Sequence, residues 1–279
     1  VRQRDDTVRN TRRIYRGVSI AVPASEGRGM DFADIRARGL KFRAKLLEAK
    51  AALDPGFPWY PYDIMANLVH IDRLLSLQHR EVFTKIAGGT VADIGAADGD
   101  FGLFLERELN CAVDLIDHAP TNFNELRGAR RLAEHLGSSA RIHDIDLDEQ
   151  FSLPQQNYSA IFLLGILYHL KNPFFVLERL ARASELCFLS TRVAALTPDH
   201  RTRLTDVPVA YLLDPEEANH DSTNYWIFSL AGLRRVLART GWGVLDLITV
   251  GCTTGSDPGS SDRDERAFCL LRSAVRRSP

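Results

Sequence analysis

Sulfur is scarce in this chain and nowhere paired: 279 residues hold four cysteines and two methionines. Cys111, Cys187, Cys252 and Cys269 are widely spaced with no Cys-x-x-Cys pair, which speaks against a zinc site or a disulfide framework. Reduced core thiols, no metal and a cytoplasmic location are expected. Long hydrophobic runs are missing too. None approaches the roughly 20 residues of a membrane span, and the arginine-rich start has no apolar segment of the kind a signal peptide needs. An excess of either charge is also lacking. With a formal net charge of −1, a polyanionic partner would have to be met by a local patch. What is present suits a globular protein: 45% hydrophobic and 25% charged residues, enough for one large core with an appended subdomain.

Residues 1–30 carry arginines at positions 2, 4, 9, 12, 13 and 16, diluted by Asp5 and Asp6, and read as a mobile, solvated basic arm. Residues 31–87 read as a helical cap. Its first helix, 31–52, has Phe32, Ile35, Leu40, Leu46 and Leu47 as apolar members and stops at Asp54-Pro55-Gly56. Phe57-Pro58-Trp59-Tyr60-Pro61-Tyr62-Asp63 packs two prolines and four aromatics into seven residues, so it must be extended. Trp59, Tyr60 and Tyr62 serve there either as a packing plug or as a wall of a substrate pocket. A helix with Ile64, Leu68, Ile71 and Leu75 follows, on which His70 and Asp72 read as surface residues.

From residue 88 strands and helices alternate. Val91-Ala92-Asp93-Ile94 is a buried strand, Gly95-Ala96-Ala97-Asp98-Gly99 a tight turn, and Phe101, Phe104, Leu105 and Leu109 share one face of the next helix. Gly95 and Gly99 let the backbone approach a ligand, and Asp93 would attract a cationic group such as an ammonium. A second strand, 112–117, ends in Asp117, 22 positions after Gly95, where a carboxylate can accept both hydroxyl protons of a ribose. Asp114 is the rival acid but falls mid-strand. A helix over 121–136 with Phe123, Leu126, Ala129, Ala133 and Leu136 inward ends at Gly137. The strand 140–143 precedes Asp144-Ile145-Asp146. A fourth, nearly continuous apolar strand runs to Gly165, a helix follows from Pro173, and a fifth strand spans 186–190. Strands at 244–250 and 267–271, the last antiparallel, complete a doubly wound seven-stranded α/β sheet over 88–279, with an insertion at about 194–228.

The Asp93-x-Gly95-x-Ala97-x-Gly99 turn resembles the first motif of the class I methyltransferases that use S-adenosylmethionine, with Ala97 in place of the middle glycine. Leu167-Tyr168-His169-Leu170-x-Asn172-Pro173, and the insertion from Asp214 to Trp226, are similar to the branch that contains the tRNA wobble-uridine carboxymethyltransferase and its small-molecule relatives. The resemblance covers roughly residues 57–250. It implies a Rossmann-like sheet with S-adenosylmethionine as cofactor and S-adenosylhomocysteine as product, held by Asp93, Gly95, Ala97, Gly99, Asp117 and Gly165. It also implies Asp144 and the Ile145 N–H at the adenine, or Asp146 in their place. That carboxymethyltransferase has a lysine near its tryptophan to neutralise a carboxylated cofactor. The stretch 59–62 has no basic residue, so plain S-adenosylmethionine and methyl transfer are expected.

His169 is then the candidate base, or an orienting residue, with Tyr168 beside it. His220, Asn224, Tyr225 and Trp226 are candidate acceptor contacts on the insertion. The favoured acceptor is a small molecule, through a hydroxyl. One alternative is a tRNA-modifying enzyme using Arg12, Arg13, Arg16, Lys41, Arg43 and Lys45. Another is a noncatalytic binding module on the same fold.

Overall fold

A computed structural model describes residues 32–75, 78–218 and 220–275. The expected basic arm and the side chain of Phe32 lie outside the described residues.

The chain opens with α1 (Phe32–Leu53), which buries Ile35, Phe42, Leu46 and Ala49. Gly39 lies on the same stripe. A Cβ there would meet Leu68 Cδ1 at 2.3 Å, so the glycine lets the next helix, α2 (Asn67–Leu75), cross closely. Leu40 and Leu47, also apolar members of this helix, lie off the stripe and are exposed. After α3 (Val82–Ile86) the alternating part begins: β1 (Thr90–Ile94), α4 (Asp100–Leu109), β2 (Ala112–Asp117), α5 (Arg127–Leu136), β3 (Arg141–Asp144), β4 (Tyr158–Leu164), α6 (Pro173–Ala183) and β5 (Ser184–Val193). Two short strands, β6 (Ala210–Leu212) and β7 (Trp226–Phe228), precede α7 (Leu230–Arg239), β8 (Trp242–Gly251) and β9 (Glu265–Ser273).

The parallel strands run in the order β3-β2-β1-β4-β5, and β9 joins β5 antiparallel with β8 on its far side. This is the expected seven-stranded sheet. The two further strands belong to the insertion, whose β6–β7 hairpin attaches to β5 only at Val193 and Phe228. One face of the sheet packs Val91, Leu115, Phe162, Phe188 and Phe268 against α1 to α4, with the Phe162 and Phe188 rings stacked at 4.8 Å. The other packs Ile94, Ile161, Leu163, Cys187 and Leu189 against α6 and α7. Both faces are covered, which is why the central strands read as unbroken apolar runs. Asn172 caps α6 through the Phe175 N–H and Pro173 begins it, while Ser229 caps α7 through the Gly232 N–H.

The helix expected from residue 121 starts only at Arg127. Asn122 Oδ1 accepts the N–H groups of Asn124 and Leu126, Asn124 Oδ1 accepts that of Gly128, and Glu125 and Leu126 turn left-handed with φ of 58° and 62°. These side chains offer the backbone an alternative to helix. Phe123, expected inward, therefore stands exposed on the loop. Among the described residues no helix is long and apolar enough to cross a membrane.

Candidate active site

The register aligns the carboxyl ends of β1, β2, β3 and β4 along one edge, and the turn after β1 occupies its middle. Gly95, Ala97 and Gly99 all have positive φ, at 72°, 53° and 82°. The left-handed φ of Gly95 favours glycine by conformation, and the Ile166 side chain fills the space that a Cβ there would take, with Cδ1 at 2.0 Å. Ala97 adopts the left-handed conformation without glycine's freedom.

Asp117 closes on this turn. Its Oδ2 accepts the Ala97 N–H at 2.8 Å and the Asn122 amide at 3.0 Å, and its Oδ1 accepts the His118 N–H at 2.8 Å. Burial raises its pKa, and these donors work against that rise. With about four lone-pair sites on a carboxylate, one remains on Oδ1. The expected pair of ribose hydroxyls is thus reduced to one unless Asn122 withdraws. Asn122 also donates to the Ala97 carbonyl at 3.3 Å, yet sequence reasoning missed it.

The other expected cofactor residues stand as follows. Asp93 lies beneath the turn, 3% exposed, with Oδ2 accepting the Gly102 N–H of α4 at 2.9 Å. Burial, moderated by that hydrogen bond, pushes its pKa up to about 7. Its carboxylate is turned toward the helix rather than outward. Asp144 sits at the edge and accepts the Ala119 N–H at 2.8 Å. The Ile145 N–H, expected to face an adenine ring, is instead donated to the Asp117 carbonyl at 2.9 Å, because the parallel β2–β3 ladder runs one residue further than the sequence indicates. Asp114 is fully buried among Arg141, His143 and Tyr158, well below the edge.

Asp98, inside the turn, was not singled out from the sequence, and it is the most heavily bonded residue there. It takes Lys50 Nζ of α1 and the Tyr60 N–H on Oδ2, at 2.9 and 2.8 Å, and the Asn124 amide on Oδ1 at 2.7 Å. Lys50 also reaches Asp100 at 2.9 Å. Burial opposes the Lys50 charge, but the carboxylates of Asp100 and Asp98 raise its pKa overall. The turn is therefore tied to the helical cap, to the aromatic segment and to the loop after β2.

Within the aromatic segment, Trp59 packs edge-on to Phe57 at 4.5 Å and donates its indole N–H to the Asp54 carbonyl. These contacts fit the packing plug. Tyr60 stands between Tyr62 and Phe123, with ring centroids at 5.5 and 6.3 Å. Burial, then the nearby Tyr168, Tyr62 and Asp117, push its phenol up to about 12. Tyr62 is exposed. On the opposite side of the turn, Gly165 follows β4 with φ of 79°, and a Cβ there would meet Arg266 Nη1 at 3.8 Å and the Tyr168 hydroxyl at 3.9 Å. Arg266, from β9, donates to that hydroxyl at 3.5 Å. The stretch 59–62 has no basic residue, but the fold brings the Arg266 guanidinium to the Tyr168 hydroxyl across 98 residues of sequence.

His169 Nδ1 lies 3.1 Å from the Thr223 carbonyl and 3.0 Å from its hydroxyl. A carbonyl only accepts, so Nδ1 carries the proton and Nε2 keeps the lone pair. Burial lowers the pKa below the usual histidine value, which keeps the ring neutral near pH 7. Thr223 belongs to the insertion, which grips the same segment twice more. The Tyr225 N–H donates to the Tyr168 carbonyl at 2.8 Å, and the Trp226 indole to that of Lys171 at 3.2 Å. Asn224 is buried, with its amide on the Ala218 carbonyl, whereas His220 is exposed beside Glu216. Of the tRNA-directed residues, Arg43 is paired with Asp63, and Arg12, Arg13 and Arg16 lie outside the described residues.

No protein-family model and no curated protein matches the chain. Solved structures do. The N-terminal domain of EvdMO1, crystallised in the presence of S-adenosylhomocysteine and D-fucose, is 18% identical over 83% of this chain and 96% of its own, with a TM-score of 0.54. The [4+2]-cyclase SpnF is 13% identical over 87% and 97%, with a TM-score of 0.54. A candidate sarcosine dimethylglycine methyltransferase from Galdieria sulphuraria is 12% identical over 77% and 88%, with a TM-score of 0.53. The chain has the class I methyltransferase fold. Identities this low speak for the fold alone, and a cyclase among the neighbours shows that this fold hosts more than one chemistry.

Proposed function

We propose that this protein is an S-adenosylmethionine-dependent methyltransferase acting on a hydroxyl of a small-molecule acceptor. The observation that carries the proposal is the Asp117 carboxylate, closed on a turn of three positive-φ residues at the carboxyl edge of the sheet. The residues fit the cofactor. Gly165 offers backbone without side-chain bulk, with the nearest side-chain atoms 3.8 Å or more from where a Cβ would stand, and Asp117 retains an acceptor site for a ribose hydroxyl. The EvdMO1 domain, with S-adenosylhomocysteine and a sugar present in its crystal, is in line with a small hydroxylated acceptor.

S-adenosylmethionine, held by Asp117 and the turn after β1, would supply a sulfonium-activated methyl for transfer to the acceptor oxygen, leaving the neutral thioether S-adenosylhomocysteine. The chain's part is alignment, exclusion of water and proton removal. His169 Nε2, left unprotonated by the Thr223 contact, takes the hydroxyl proton. Tyr168 and Tyr60 stand between the turn and Arg266, with Tyr62 exposed beside Tyr60, the insertion residues Thr223, Tyr225 and Trp226 hold the Tyr168–Lys171 segment in place, and Asn224 is bonded within the insertion itself. His220 meets acceptor only at the outer surface.

Isothermal titration with S-adenosylmethionine and S-adenosylhomocysteine tests the assignment. Micromolar binding is expected, weakened in Asp117→Ala by about 1–3 kcal/mol for a lost buried hydrogen-bonding group. Absence of binding to the wild type would overturn it in favour of a binding module on this fold.

A further inference from the structure

His169 ends the short turn after β4, and the insertion meets it with two side chains in series. Thr223 Oγ1 lies 3.0 Å from His169 Nδ1, and the same hydroxyl donates to Asp221 Oδ1 at 2.6 Å. A hydroxyl has one proton to give. With that proton committed to the carboxylate, Oγ1 faces the imidazole with a lone pair, as the Thr223 carbonyl does at 3.1 Å. Both oxygens require the proton on Nδ1 and leave Nε2 bare. A hydroxyl free to turn could instead donate to Nδ1, and the ring would then carry its proton on Nε2 and could take none there. Asp221 Oδ1 also accepts the Thr223 N–H at 2.9 Å, a local turn open to any Asp-x-Thr. The link to His169, 54 residues away in sequence, is not local. The charged and titratable groups around the ring are Asp221 from the insertion, Arg266 from β9 and the adjoining Tyr168, whose ring centroid is 4.2 Å away. Burial lowers the His169 pKa most, the Thr223 carbonyl and the Asp221 charge pull it back up, and Arg266 pushes it down.

We propose that Asp221 and Thr223 are positioning residues for His169, forming with it a carboxylate–hydroxyl–imidazole chain that presents Nε2 as the base. The proposal rests on the methyltransferase reading for the proton that is taken, and deepens it by naming what prepares the base. When Nε2 takes the acceptor's hydroxyl proton, the ring becomes imidazolium. The Nδ1 proton stays on Nδ1 and the Thr223 proton stays on Thr223, so a single proton moves and the Asp221 charge compensates the new cation through the hydroxyl between them. Asp221 acts without being protonated itself. A base oriented from the insertion also depends on that insertion staying docked against the Tyr168–Lys171 segment, which Tyr225 and Trp226 secure.

The test is nuclear magnetic resonance of the full chain with isotope-labelled histidine, the His169 signals among those of eight histidines being assigned by their absence from His169→Gln. The wild type should carry the ring proton on Nδ1 at neutral pH. Asp221→Asn keeps an acceptor for the hydroxyl and for the turn but loses the charge, and His169 should then titrate about 0.5–1 pH unit lower. Thr223→Val keeps the carbonyl and removes the hydroxyl. It should lower the titration as well, and adding Asp221→Asn to it should have less than about half the effect seen in the wild type, as expected for members of one hydrogen-bond chain. Thr223→Ser should restore the wild-type titration. A wild-type ring proton on Nε2 would overturn the proposal by removing the base. So would an unchanged His169 midpoint in Asp221→Asn, which would leave Asp221 a turn residue, or an equal fall with and without the Thr223 hydroxyl, which would leave it a charge acting through space. These readouts need neither cofactor nor acceptor. Failure of the wild type to bind S-adenosylhomocysteine, with the titrations as expected, would therefore sink the methyltransferase reading alone.

Discussion

Ala97 holds φ at 53°, a left-handed conformation that costs a residue with a Cβ about 1–2 kcal/mol. Glycine removes that strain but adds about 0.4–1 kcal/mol of unfolded-chain entropy. Ala97→Gly should therefore stabilise the protein by about 0.5–1 kcal/mol, seen as a raised midpoint in urea at unchanged slope. The N–H of residue 97 still reaches Asp117 in that variant, so cofactor affinity should hold. Asp93 makes a second prediction through pH. Its folded pKa of about 7 stands above the ordinary 3.8, so between those values the folded chain keeps a proton that the unfolded chain has released. Rising pH then favours unfolding. Wild-type stability should fall relative to Asp93→Asn as pH increases from about 4 to about 7 and run parallel above. The asparagine carbonyl still accepts the Gly102 N–H, so a parallel course through the whole range would refute the raised pKa.

At the scale of elements, α1 is more than a cover for the apolar face. Lys50 lies buried at its C-terminal end and compensates Asp98 and Asp100 in the turn and the first residue of α4. Lys50→Met would leave two buried carboxylates without their cation, at a cost of about 3–5 kcal/mol. Chemical denaturation should show that loss, and Asp100→Asn in the same background should recover part of it. If Lys50→Met unfolds at the wild-type midpoint, the tie is ornamental. The insertion plays the corresponding part on the other side, since Thr223, Tyr225 and Trp226 hold His169, Tyr168 and Lys171 through backbone carbonyls. Such contacts depend on geometry more than on side-chain identity, which is why only their general location was visible in the sequence.

For the whole molecule, a ligand that binds the folded chain alone stabilises it by mass action. S-adenosylhomocysteine at 100 times its dissociation constant should add about 2.7 kcal/mol, a rise in melting temperature of roughly 5–10 °C for a domain of this size, and clearly less in Asp117→Ala at the same ligand concentration. No shift at any concentration would contradict the proposed cofactor. The seven-stranded doubly wound sheet, the glycine turn, the acids after β1, β2 and β3 and the start of α6 at Pro173 were legible in the amino-acid sequence, because each is built from patterns within some 10 or 20 neighbouring residues governed by periodicity and turn chemistry, whereas the strand order was decided by the tertiary structure. The start of α5 was misread because Asn122 and Asn124 compete locally with the helix, and the Ile145 N–H because the extent of a ladder depends on the neighbouring strand. Lys50 against Asp98, His169 against Thr223 and Arg266 against Tyr168 are separated by 48, 54 and 98 residues. Periodicity carries no information over such distances. Only the packing of α1 on α4, the return of the insertion and the antiparallel docking of β9 on β5 decide which charges meet at the edge where the strands end.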